Sequence, residues 1–135
     1  MSRIVLACAL GLALAAPAQA ADPAPRRDLT GDWGVLIVQP ATGCEWTGLI
    51  RLREQAGRIT GNGVAEPPIV PGRGGRCPRL EGQVQGDRRG EVVRFGFATG
   101  KLGQADFEGR VAAEAMEMTG TWRTRSARGD WSAAK

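Results

Sequence analysis

The side chains that could carry chemistry are Cys44 and Cys77, a set of arginines between Arg73 and Arg89, 14 carboxylates and four tryptophans. What is missing narrows the reactions. The chain has no histidine, so no imidazole is available to activate a serine or cysteine or to ligate zinc. Beyond residue 20 the only serines are Ser126 and Ser132, both beside charged residues near the C-terminus. Gly72, Gly74 and Gly75 do not join a strand to a lysine-bearing helix, which excludes a phosphate loop. A pair of carboxylates working as a glycosidase remains formally open. However, Glu81, Asp87, Glu91, Asp106, Glu108 and Glu117 fall opposite the apolar positions of their segments and read as solvated. No catalytic residue, metal site or cofactor is expected, and the chain reads as a non-enzyme.

Residues 1–20 read as a secretory signal. A basic start at Arg3 leads into an apolar run from Ile4 to Ala16, and small residues at Ala18 and Ala20 precede a cleavage point. The run is shorter than the ~20 residues a bilayer-spanning helix needs, so no membrane span is expected. A lipoprotein signal built on Cys8 has too little apolar length before the cysteine. Cleavage removes only Arg3 among the charges, taking the 18 basic side chains to 17 against 14 acidic ones. The expected location is periplasmic or secreted. There, the two remaining cysteines, Cys44 and Cys77, are best read as a disulfide, with a free thiol as the alternative. Closing a loop of that length stabilises by ~3–4 kcal/mol in the chain-entropy model.

These groups must be positioned by short elements. Residues 21–28, with two prolines and no apolar residue larger than alanine, read as a flexible arm. From Leu29 onward about eight segments alternate apolar and polar residues between glycine-rich turns, the pattern of half-buried antiparallel strands. Residues 33–38 are apolar on both faces. Residues 44–53 put Trp46, Gly48, Ile50 and Leu52 on one side. Residues 58–66, 80–86, 91–98, 105–111, 116–123 and 130–133 complete the series. Residues 67–78 are too rich in proline and glycine for a regular element. The alanines and glutamates of 111–118 favour helix by propensity, but period two carries through them, and they read as a hairpin. The fold class is all-β: a single domain over 29–135, a small up-and-down antiparallel barrel, with a β-sandwich as the alternative.

The tryptophans follow a repeated pattern. Gly31-Asp32-Trp33, Gly120-Thr121-Trp122 and Gly129-Asp130-Trp131 are three copies of glycine–x–tryptophan, and Trp46-Thr47-Gly48 reverses it. Trp33, Trp46, Phe95, Phe97, Phe107, Met118 and Trp122 are expected in the core, with Met116 beside Met118 on the same face. Trp46 and Trp131 could equally sit at a rim, where the indole N–H finds a partner, and Trp131 is carried as a candidate binding residue.

A glycine–x–tryptophan opening in a small exported barrel, here Leu29 to Trp33 followed by Cys44, resembles the calycin group. That group includes lipocalins, avidins and the bacterial inhibitors of secreted metalloproteases. In the inhibitors the tryptophan plugs the barrel floor and a disulfide pins an early strand. The avidin ligand set has no counterpart, since the chain lacks tyrosine. The resemblance implies binding rather than catalysis.

Arg73, Arg76 and Arg79 mark a basic loop as the candidate binding segment. No aromatic residue lies between Gly48 and Val93 to stack bases, so nucleic acid is not an expected partner. An envelope or secreted protein, or an anionic envelope polymer, fits better. The expected function is an exported protein-binding module of inhibitory type. A carrier of a small apolar ligand and a structural envelope protein are the alternatives.

Overall fold

The computed structural model describes residues 27–68, 77–100, 102–112 and 114–135. The sequence alternation becomes eight strands: β1 (Gly31–Gln39), β2 (Cys44–Gln55), β3 (Arg58–Glu66), β4 (Leu80–Arg89), β5 (Val92–Ala98), β6 (Gln104–Val111), β7 (Glu117–Arg123) and β8 (Arg128–Ala134). Each pairs antiparallel with its neighbours in chain order, and β8 returns to pair with β1. The result is a closed up-and-down barrel with no free sheet edge, not the sandwich.

Period two decides what is inside. Trp33, Val35 and Ile37 on β1 and Trp46, Ile50 and Leu52 on β2 point inward. Val93, Phe95 and Phe97 do so on β5, and Ala105, Phe107 and Val111 on β6. Leu29 is completely buried and caps the set.

The glycine–x–tryptophan repeat has a packing reason. Residues i and i+2 of a strand face the same way, so each motif presents a gap and an indole side by side. On β7 and β8 the two copies run antiparallel and interlock: Gly120 pairs with Trp131, and Trp122 pairs with Gly129. The Trp131 indole extends across β7 and stacks edge-on against Phe95 and Phe107, with ring centroids 5.4 and 5.7 Å away. Trp122 reaches across β8 and donates its N–H to the carbonyl of Val38 at 3.1 Å.

Three local expectations change. β8 runs from Arg128, two residues earlier than its apolar positions indicate, because Arg123 and Arg128 pair across the hairpin. The sequence places a turn at Arg88–Gly90, but β4 continues through Arg88 and Arg89, and of these three only Gly90, with a φ of 64°, lies in the turn. Met116 is exposed, whereas Met118 is buried. Ala115 takes a left-handed φ of 52° just before β7, which breaks the period and turns Met116 outward. The residues described between Val111 and Glu117 form a turn, as the hairpin reading requires.

The strand directions sort the connections between two ends. The stretch 27–30, the β2–β3 and β4–β5 turns and the β6–β7 connection lie at one end. The β1–β2, β5–β6 and β7–β8 turns and both flanks of the β3–β4 connection lie at the other.

Candidate functional site

At the first end, the backbone leading into β1 is held by a compact polar network. Glu54 and Arg88 occupy the inward positions at the tips of β2 and β4, where the apolar alternation has run out. Their side chains are only 12% and 8% exposed and form an ion pair of 3.2 Å. Arg88 also donates from Nη1 to the carbonyl of Arg27 at 2.9 Å and from Nε to the carbonyl of Gly90 at 2.9 Å. Glu54 accepts the Leu29 N–H at 3.0 Å, and the Glu54 N–H donates to the Thr30 hydroxyl at 3.1 Å. Below them the Trp33 N–H donates to the carbonyl of Leu29 at 2.8 Å. Burying two charges is costly unless both are paired and their remaining valences filled. Here the filling groups are main-chain atoms of 27–30, so the network fixes where the preceding chain leaves the barrel.

The other end is tied differently. Cys44 and Cys77 form a disulfide across a sequence separation of 33, as the export reading expects. Next to it, the Trp46 N–H donates to the carbonyl of Pro78 at 2.7 Å. Arg79 makes ion pairs with Glu66 at 2.9 Å and Glu81 at 2.7 Å, bridging the exit of β3 to the entry of β4. It acts as a clamp on the loop's base. Arg73 and Arg76, with residues 1–20 and most of the arm, lie outside the described residues. The described flanks of the arm and of the basic loop therefore lie at opposite ends of the barrel.

Between the ends the interior is filled. Trp33, Trp46, Phe95, Phe97, Phe107, Met118, Trp122 and Trp131 are all buried, so Trp131 is a core residue and not a rim one. Its N–H donates to the carbonyls of Glu108 and Thr121 at 3.2 and 3.1 Å. All four indole N–H groups thus end on main-chain oxygens. No buried side-chain nitrogen or oxygen among the described residues lacks a partner. A concavity of about 1040 Å³ is lined by outward residues of β4 to β8 and reaches the edges of the core residues Phe95, Phe107 and Trp122. Its charged rim of Arg94, Arg123 and Arg128 against Asp106, Glu108 and Asp130 balances to zero.

No family model, curated protein or solved structure matches this chain. What the structure shows is a closed eight-stranded antiparallel barrel with the opening tryptophan, Trp33, buried and bonded to Leu29.

The chemical inventory gains little from folding. Glu81, Asp87, Asp106, Glu108 and Glu117 lie on the exposed outer face, and Glu91 is exposed in the β4–β5 turn. Among the described residues no group of three or more Cys, Asp or Glu is placed to hold a metal ion. The Arg88–Glu54 pair is what sequence reasoning missed, since Arg88 reads there as a turn residue. Its signal was present: both residues continue the inward parity of their strands, one position beyond the last apolar or glycine residue.

Proposed function

We propose that this protein is an exported binding module that acts on another protein, as an inhibitor, through the barrel end from which residues 21–26 depart. The observation that carries this reading is the Arg88–Glu54 network, which grips the main chain at Arg27 and Leu29 and, through the Glu54 N–H, the hydroxyl of Thr30. A barrel that merely needed closing could do so with apolar side chains. Spending a nearly buried ion pair on the main chain at Arg27 and Leu29 suits a device that must present the adjoining segment in one direction. The packed interior weighs against the small-molecule carrier, because such sites need a cavity of several hundred Å³ inside or at the mouth of the barrel. Nothing in the geometry favours a purely structural envelope role over either.

The test is capture of partners from envelope and culture-supernatant fractions by the mature protein. Three baits are compared: the wild type, a chain lacking residues 21–26, and Arg73→Ala/Arg76→Ala. A secreted protease or other envelope protein retained by the wild type and lost on deleting 21–26 supports the proposal. Loss only with the arginine variant moves the site to the opposite end. A tightly held small molecule in native mass spectrometry, with no protein partner, restores the carrier.

A further inference from the structure

The outer wall carries a second feature, on the side formed by β2, β1 and β8. Strand register arranges its outward residues in rows. From the disulfide end they are Glu45, Val38 and Asp130; then Thr47, Leu36 and Ser132; then Leu49, Gly34 and Ala134; then Arg51 with Asp32. On these three strands the two middle rows hold no charge, while the outer rows carry Glu45 and Asp130 at one end and the Arg51–Asp32 ion pair at the other. Leu36 and Leu49, at 38% and 46% exposure, lie in these middle rows. Met116, the other exposed large apolar residue among those described, borders them, since its carbonyl accepts the Lys135 N–H. Leu36 lines a groove of about 520 Å³ together with Gly34, Thr47, Ser132 and Ala134, and Glu117 of β7 closes its far side. Single exposed leucines are ordinary; two in one uncharged band, between an acidic row and the Arg51–Asp32 ion pair, mark an interaction surface.

We propose that this face binds a second copy of the chain about a two-fold axis, with the strands of the two copies antiparallel. An axis lying between the faces and crossing the strands at the row of Val35, Gly48 and Ala133 makes the surface self-complementary, as an isologous contact requires. Leu36 then enters the gap over Gly34 of the second copy, and Thr47 meets its Leu49. Ser132 meets its Ala134, and Glu45 meets its Arg51. Each contact occurs twice. The other face-to-face two-fold, along the strands, sets Glu45 against Asp130 and opposes like charges. Arg51 is available for the contact. It is 68% exposed and bonded at 2.8 Å to Asp32, whose hydrogen bond and charge raise the guanidinium above its ordinary pKa and keep it cationic. Three strands of contact lie at the small end of stable interfaces, so a reversible dimer in the micromolar range is expected.

Sedimentation equilibrium of the mature chain from about 1 µM to about 1 mM tests this, a range that brackets such an affinity. The expected result is reversible doubling of mass. Leu36→Asp and Glu45→Arg each weaken association at least about tenfold, while near-ultraviolet circular dichroism shows an unchanged barrel. Combining Glu45→Arg with Arg51→Glu restores affinity, because the swapped charges meet again across the two-fold. A single-barrel mass at every concentration overturns the proposal. So does a dimer indifferent to Leu36→Asp, or a charge-swapped double variant no tighter than Glu45→Arg alone.

Discussion

Trp131 stands directly opposite Gly120 where β7 and β8 pair. Its indole runs on over Gly109, where a β-carbon would stand 2.7 Å from the ring. One glycine on each of two strands thus makes the room that one tryptophan on a third strand fills. The repeat visible in the sequence is this exchange written out three residues at a time.

Adding a methyl group to those gaps is therefore disruptive. A β-carbon on Gly120 collides with the main-chain oxygen of Glu108, and one on Gly109 with that of Thr119. Backbone atoms cannot swing aside as a side chain does. Gly109→Ala and Gly120→Ala should each destabilise the fold by about 2–3 kcal/mol, the range for overpacking a close-packed interior. Urea titration would show it as an earlier midpoint with unchanged slope. A loss under about 0.5 kcal/mol would contradict the packing described, since surface-like effects are of that size.

All four tryptophans are buried. Iodide, which is charged and excluded from the core, should leave native emission nearly unquenched, with quenching appearing only as denaturant unfolds the barrel. Strong quenching of the native protein would mean that at least one indole is open to solvent.

Glu54 and Arg88 should behave as a coupled pair. Glu54→Ala strands a nearly buried guanidinium, and Arg88→Ala strands a carboxylate; each should cost about 3 kcal/mol. Replacing both with leucine should cost less than either single change, since no charge is then left without its partner. Additive losses in the complete cycle would show that the two do not interact.

Reducing the Cys44–Cys77 bond, or replacing both cysteines with alanine, should lower stability by about 3–4 kcal/mol. The arm end should keep its structure near the midpoint, because its ties are separate from the bond. Differential scanning calorimetry with and without reductant measures the first effect. Amide exchange at Leu29, whose N–H is bonded to Glu54, reports the second.

Much of this architecture was legible in the chain. Strict alternation placed Trp46, Ile50 and Leu52 inside and Leu49 outside β2. Cys44 and Cys77 pointed to the disulfide, and the hairpin reading of 111–118 prevailed over helix propensity because pairing across β6 and β7 outweighs it. Met116 escaped because a single left-handed alanine shifts the parity, and alanine gives no warning of that conformation. Residues 33–38 were apolar on both faces, and that carried information: Leu36, the surplus member, heads the uncharged band on the outer wall. The anchoring network was hidden because Glu54 and Arg88 are 34 residues apart, and only the pairing of β2 and β4 with opposite edges of β3 brings their strand tips together. Trp131 could not be assigned to core or rim until its register with Gly120 was known.

The pairing of β1 with β8 has a kinetic consequence. Gly34 meets Ala134 and Ile37 meets Trp131, so the ring joins residues about a hundred positions apart. No earlier strand can stand in for the last one. A nascent chain keeps the edge of β1 unpaired until its final residues are synthesised. Contacts of such long sequence range make folding slow. Until they form, every intermediate has two open edges on which another chain can template. A product truncated before Arg128 would keep those edges permanently, and should be recovered in aggregates rather than as a slightly weaker barrel.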